Sequence, residues 1–251
     1  MAKSLVGKNA VVTGGSRGIG AAVAIELAAR GASVLITYVS SARAAESIAR
    51  KIESQSSDVS GFALQADSSK SMDAAVSVAA ECRKRFPDGI DIIVNNAADG
   101  SDVDLKNLTP QNFDSTFHTN LLFPLLLVQQ VRSQIRRQAR IVNISSTSAR
   151  RGFPSAITYA ASKAALESVT RSLAKELGRE LDCTVNAVNP GPVNTDMWNE
   201  TEGLEMNAIT QRIVSETAAA GRIGETSDIA PIVAFLCEEQ SRWITGSVAR
   251  T

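Results

Sequence analysis

The chain has 251 residues, 44% of them hydrophobic, enough apolar material for the core of one α/β domain. Its 26 basic and 26 acidic residues cancel, so no global field draws it to nucleic acid or to an acidic membrane. Three scattered cysteines, Cys82, Cys183 and Cys237, form no metal or redox pattern and fit a reduced, cytoplasmic protein.

The first residues lack both the apolar core of a signal peptide and the Met-Gly of a myristoylation site. The longest apolar run, the eight residues 121–128, contains Pro124, whereas a membrane span needs about 20 residues. No repeat, linker or low-complexity tract interrupts the chain, so one domain over 1–251 is expected.

Residues 9–13 (Asn-Ala-Val-Val-Thr) read as a short buried strand. Gly14-Gly15-Ser16-Arg17-Gly18-Ile19-Gly20 follows, and then a helical stretch over 21–30. Glycines permit a tight turn and close backbone approach to a ligand. A helix N-terminus offers free N–H groups and positive dipole to a pyrophosphate. Strand, glycine turn and helix in that order predict a nucleotide site at Gly14, Ser16, Gly18, Ile19 and Gly20.

Gly31 is a helix-stop candidate, and 33–39 reads as a second strand. An acid at its end would bind the ribose 2′-hydroxyl of NAD and repel a 2′-phosphate. The end here is Thr37-Tyr38-Val39-Ser40-Ser41, with no carboxylate. Ser40 and Ser41 suit both the capping of the next helix and a phosphate, and Arg17 can reach the same group. These residues predict NADP rather than NAD.

A third strand over 61–66 ends at Asp67. Two roles are open there, capping the helix over 72–86 or accepting a hydrogen bond from adenine. A fourth strand starts at Asp91 and runs into Asn95-Asn96-Ala97-Ala98, whose small residues let a flat ligand lie close. Thr109-Pro110 starts a helix that carries Asn120, and a buried Asn there needs partners. His118, the single histidine, reads as a structural or surface residue.

A fifth strand over 140–145 ends at Ser145-Ser146, and a helix over about 155–178 follows. Tyr159 and Lys163 are four apart, so they share a helix face. A cation one turn from a phenol favours the phenolate, which makes Tyr159 an acid or base with Lys163 as its tuner. A sixth strand over 184–189 ends in a rigid turn, Pro190-Gly191-Pro192-Val193-Asn194-Thr195. Residues 196–221 are irregular and carry Met197, Trp198, Met206, Ile209 and Ile213, as expected of a lid over an apolar substrate or of a helical excursion with a small core of its own. A last helix over 227–237 and a short strand over 243–249 complete the chain. The alternation implies a mostly parallel seven-stranded sheet with helices on both faces, a Rossmann fold.

Taken together, these motifs resemble the short-chain dehydrogenase/reductase family from about Gly7 to Gly246. Thr13 to Gly20 is similar to its T-G-x-x-x-G-I-G loop, and Asn95 to Ala98 to its N-N-A-G with Ala98 at the last position. Asp67 stands where the family contacts adenine. Ser146, thirteen residues before Tyr159, stands at its catalytic serine. Tyr159 and Lys163 match Y-x-x-x-K.

The resemblance implies an NADP(H)-dependent, reversible ketone reduction. Tyr159 protonates the carbonyl oxygen, Ser146 hydrogen-bonds it, Lys163 holds the nicotinamide ribose, and Asn120 fixes a water that links Lys163 to solvent. Tyr38, Asn96 and Ala97 join the cofactor set, and Pro190, Gly191, Val193 and Thr195 hold the nicotinamide end. No metal is implied. A homo-oligomer, tetramer or dimer, is implied as well, and the residues after Gly246 lack the family's V-D-G-G-like tail, so a short last strand is expected. Within the family the chain resembles reductases of polyketide-type aromatic ketones. A redox-neutral isomerase or lyase and a non-catalytic NADP-binding regulator are the alternatives. Arg150 and Arg151, near the catalytic segment, read as exposed loop charges, with contact to an acidic substrate as the alternative.

Overall fold

Successive side chains of a strand point to opposite faces of its sheet, so a strand buried on both sides feeds two cores. The central strands do this residue by residue. Ala10 and Val12 join one apolar cluster and Val11 the other; Ile92 and Val94 divide from Ile93 in the same way. In the second strand Val34 and Ile36 face one side and Leu35 the other. Such strands need helices on both faces, and both are present.

The computed structural model describes residues 3–101, 103–153, 156–199, 211–212, 214–217 and 219–251. In chain order the elements are β1 (Asn9–Val12), α1 (Gly18–Ala29), β2 (Ser33–Tyr38), α2 (Ala42–Glu53), β3 (Gly61–Gln65), α3 (Ser71–Arg85) and β4 (Ile90–Asn95). Then come α4 (Pro110–Phe117), a π turn (His118–Leu122), α5 (Phe123–Val131), β5 (Ile135–Ile144) and α6 (Ile157–Leu181). The last are β6 (Thr184–Asn189), the one-turn α7 (Asp196–Asn199), α8 (Thr226–Leu236) and β7 (Val248–Arg250).

The strands form a seven-stranded sheet in the order β3-β2-β1-β4-β5-β6-β7. Every pairing is parallel, a stricter arrangement than the mostly parallel sheet expected. The chain moves outward from β1 to β3, then returns to place β4 on the other side of β1. That reversal opens a crevice at the carboxyl ends of the strands, the usual place for a ligand in an open α/β sheet. Among the described residues, no helix is long and apolar enough to cross a membrane.

Several local expectations need correction. Ser41 precedes α2 but makes no side-chain capping bond. Asp67 does not cap α3, whose capping position is Lys70; its carboxylate instead accepts from the N–H and hydroxyl of Ser69 at 3.1 and 2.7 Å, a local turn. α6 runs through Gly178 and stops where Asp182 turns left-handed, with φ of 52°. The final strand is Val248–Arg250, shorter and later than the run 243–249, and Trp243 is almost fully exposed. By contrast Thr109 caps α4 as expected, accepting from the Asn112 N–H at 3.2 Å.

The π turn has a physical cause in the sequence. An α-helical bond to the Asn120 carbonyl would come from the N–H of residue 124, and Pro124 has none. The helix widens there by one residue, as π bulges do, often at functional sites.

Candidate active site

A cleft of about 370 Å³ opens at the carboxyl ends of the strands. Its two ends are built differently.

At one end the wall is backbone. Gly14 has φ of 63°, and an added Cβ would lie 2.9 Å from the Ala97 Cα. Only glycine lets β1 turn this close to β4. A Cβ on Gly20 would lie 2.4 Å from both the Asn96 amide nitrogen and the Gly14 carbonyl, so the first turn of α1 needs that glycine too. Two threonines to which the sequence reading gave no bracing role, Thr13 and Thr37, hold the turn. The Thr37 hydroxyl accepts from the Gly14 N–H at 3.1 Å. The Thr13 hydroxyl accepts from the N–H groups of Asn96 and Ala97, each at 3.0 Å. The Asn96 side-chain amide donates to the carbonyls of Thr13 and Gly14 at 3.0 and 3.1 Å, so it supports the turn from behind.

The first turn of α1 carries no acidic residue, and Arg17 at its capping position makes no side-chain cap. Its N–H groups and dipole are therefore available to an anion. Gly14, Ser16, Arg17, Gly18 and Ile19 line this end, with Tyr38, Ser40 and Ser41 from the end of β2. Gly20 lies behind that surface and shapes it. Asp67 is not on the wall, although its neighbours Ala66 and Ser68 are. Arg17 also approaches Asp196 at the foot of the predicted lid, at 3.8 Å, with both side chains more than half exposed.

At the other end the wall is side chain. Ser146, Tyr159 and Lys163 face the same cleft, with Pro190, Gly191, Val193 and Thr195 opposite. The Ser146 hydroxyl accepts from the Ser148 N–H at 3.1 Å, which leaves its proton to donate. Lys163 is 2% exposed, and its ammonium donates to the Ile144 carbonyl at 2.8 Å. Burial pulls its pKa down to about 8. Its nitrogen lies 5.7 Å from the centre of the Tyr159 ring.

Asn120 stands behind this group. Its amide nitrogen donates to the Asp99 carbonyl and the Ser162 hydroxyl, each at 3.0 Å, and its oxygen accepts from the Asp99 N–H at 2.8 Å. Ser162 in turn donates to the Tyr159 carbonyl at 2.7 Å. The side chain thus ties the loop after β4 to the helix of Tyr159.

Beyond Tyr159 the cleft is apolar, with Ala98, Gly100, Phe153, Pro192, Met197 and Trp198 on its walls. The Gly100 backbone packs against Met197, whose sulfur would be 2.9 Å from a Cβ added there. The base of the predicted lid is pinned. Val193 and Gly224 form a bridge, with Asn194 N–H on the Gly224 carbonyl at 2.8 Å and Gly224 N–H on the Pro192 carbonyl at 2.9 Å. Met206, Ile209 and Ile213, also assigned to the lid, lie outside the described residues. Arg150 is no simple loop charge; it pairs with Glu167 at 3.1 Å, while Arg151 pairs with Glu216 at 3.2 Å.

A family model described as Enoyl-(Acyl carrier protein) reductase matches residues 14–250. Short-chain dehydrogenase/reductase FrzI of a Cladobotryum species is 47% identical, over 98% of this chain and 94% of its own. The chain belongs to the short-chain dehydrogenase/reductase family. The hydroxynaphthalene reductase arp2 of Aspergillus fumigatus is 35% identical, over 96% of this chain and 90% of its own. Among solved structures, a short-chain dehydrogenase from Burkholderia cenocepacia in complex with NADP superposes with a TM-score of 0.89 at 38% identity, covering 98% of this chain and 97% of that one. The family expectation drawn from the motifs therefore holds over nearly the whole length.

Proposed function

We propose that this short-chain dehydrogenase/reductase is an NADP(H)-dependent ketoreductase. It converts an apolar ketone, cyclic or polyketide-type, reversibly to a secondary alcohol. The observation that carries this reading is the convergence of Ser146, Tyr159 and Lys163 on one cleft that also presents an apolar surface of Ala98, Phe153, Pro192, Met197 and Trp198. The NADP complex and the hydroxynaphthalene reductase among its relatives support it.

The residues present fit the cofactor. A helix N-terminus without carboxylates suits the pyrophosphate. Arg17, Ser40 and Ser41 would hold the 2′-phosphate, in a place where an acid would repel it. Asp67 is off the wall but between Ala66 and Ser68, which are on it, and would accept from adenine through the carboxylate oxygen that Ser69 does not use. Pro190, Gly191, Val193 and Thr195 would hold the nicotinamide end. Bound NADPH supplies the hydride for the carbonyl carbon.

The chain's own residues do the rest. Tyr159 gives its phenolic proton to the carbonyl oxygen, and Ser146 donates a hydrogen bond to that oxygen and fixes its position. Lys163, one turn along α6, favours the phenolate left behind and replenishes the proton. Asn120 fixes a water on the route from Lys163 to solvent. Phe153, Met197 and Trp198 give the apolar body of the substrate its surface and keep water from the reacting carbonyl.

The chain acts as one domain, in the cytoplasm, as a dimer or tetramer. Three buried free thiols support a reducing compartment. Partly exposed Phe113, Leu122 and Ile157 on α4, the π turn and α6 support a contact between copies.

The test is a pair of fluorescence titrations with NADPH and NADH, followed by a panel of cyclic and aromatic ketones. Tighter NADPH binding with NADPH oxidation on a ring ketone is expected. Tighter NADH binding would overturn the cofactor assignment. NADPH binding without oxidation on any ketone would overturn the reaction.

A further inference from the structure

Tyr159, Lys163 and Glu167 recur every four residues along α6, so all three project from one face. The first two line the cleft and the third does not. Glu167 is only 5% exposed. A carboxylate taken out of water is costly unless strong partners surround it, and its partners come from two separate segments, the connection after β5 and the end of β6.

One carboxylate oxygen accepts from the Ser145 hydroxyl at 3.1 Å and from the Asn189 amide at 2.5 Å. The other accepts from Arg150 at 3.1 Å. Ser145 immediately precedes Ser146. Asn189 ends β6 and immediately precedes Pro190-Gly191. The Ser145 hydroxyl also reaches the Lys163 carbonyl at 3.4 Å. Backbone bonds knit the same strand ends, Ser145 N–H to the Val188 carbonyl at 2.7 Å and Thr147 N–H to the Pro190 carbonyl at 2.9 Å. Every partner of this carboxylate lies in or beside a segment of the reacting set, and none is itself a reacting group.

We propose that Glu167 is a positioning residue, with Arg150 as its counter-ion. It clamps the serine-bearing end of β5 and the turn after β6 to the helix that carries Tyr159 and Lys163. The proposal rests on the ketoreductase reading, in which these three chain ends must meet around one carbonyl. Misplacing reacting groups by about 1 Å can cost about 100-fold in rate, so a rigid joint between the ends has a direct catalytic effect. The glycine turn lies at the other end of the cleft and does not depend on it.

The experiment compares Glu167→Leu, Glu167→Gln and the pair Glu167→Gln with Arg150→Met. Three readouts are used: hydrogen exchange of the cofactor-free enzyme, NADPH titration by fluorescence, and steady-state kinetics on an accepted ketone. Glu167→Leu should lower kcat by about 100-fold, with NADPH affinity kept within about threefold. Its exchange should rise over residues 145–149 and 189–193 while β1 and β2 keep their protection. Glu167→Gln turns an amide donor toward the Arg150 guanidinium, so it should lose more activity than the double variant. The double variant keeps the oxygen used by Ser145 and Asn189 and should return to within about tenfold of wild type.

Unchanged kcat and unchanged exchange in a folded Glu167→Leu protein would overturn the proposal. If that variant does not fold, the glutamine pair decides, and equal activity of Glu167→Gln and wild type would overturn it. A wild-type enzyme that binds NADPH but reduces no ketone would defeat the ketoreductase reading instead, and the exchange comparison would still report on the clamp.

Discussion

The two ends of the cleft are made of different material. The end at Gly14 is made of backbone: a turn that only glycine can make, braced by two threonine hydroxyls and one asparagine amide. The end at Tyr159 is made of buried side chains, and each is held by a residue far away in sequence. Lys163 depends on the Ile144 carbonyl, Asn120 on Asp99 and Ser162, and Glu167 on Ser145, Asn189 and Arg150. A backbone site tolerates most changes except one that adds a Cβ. A side-chain site fails in steps, according to which link is cut.

The strongest test of that contrast is Tyr159→Phe. It removes the proton and leaves the ring, so kcat should fall by about 1,000-fold or more, in the range of general acid catalysis. NADPH affinity should stay within about threefold, because the glycine end is untouched. A variant that retained a tenth of wild-type activity would place the acid elsewhere.

Lys163 should reveal the side-chain end through pH. Burial lowers its pKa from 10.5 to about 8, so between those values the unfolded chain binds the extra proton and the folded chain does not. Stability on this account rises with pH through that window. The gain is complete above 10.5, is lost as pH falls through about 8, and amounts to about 3 kcal/mol. The difference in unfolding free energy between wild type and Lys163→Met, measured by urea titration at pH 7.5 and at pH 10, should move in wild type's favour at the higher pH. A flat difference would mean that Lys163 is solvated.

The backbone end should respond to Gly14→Ala. The new Cβ meets the Ala97 backbone at a positive φ, so a loss of about 1–3 kcal/mol in stability is expected. NADPH affinity should drop by about tenfold or more as the turn shifts, since each 1.4 kcal/mol of lost binding is a factor of 10. The kcat at saturating NADPH should change far less. Equal damage to kcat and affinity would show that the two ends are mechanically one.

This division also explains what could be read from the sequence. The glycine turn is a local feature, and so were the strand before it and the helix after it. Tyr159 and Lys163 were legible because four residues on a helix is a local distance. The role of Asn120 was only half legible: its helix and its need for partners were visible, but not that Asp99 and Ser162 would supply them. Glu167 carried a signal in its spacing, an acid one turn beyond Lys163, and its meaning depended on strand ends 22 residues away on either side. The hydroxyl bonds of Thr13 and Thr37 were not legible, although Thr13 opens the glycine motif, because nothing in a strand pattern says which hydroxyl meets a neighbouring turn.

The smallest expected effect separates two readings of one hydroxyl. Ser41 was expected either to cap α2 or to meet a phosphate, and the structure gives α2 no side-chain capping bond from it. Removing a true cap costs about 1 kcal/mol. Ser41→Ala should therefore change stability by less than about 0.5 kcal/mol, as an exposed substitution does. If the hydroxyl meets the 2′-phosphate, the same change should weaken NADPH binding about threefold to tenfold, the net worth of one typical hydrogen bond, and leave NADH binding alone. A protein that lost stability and kept its cofactor preference would return Ser41 to the role of a cap, and Arg17 and Ser40 would then be the residues that tell the two cofactors apart.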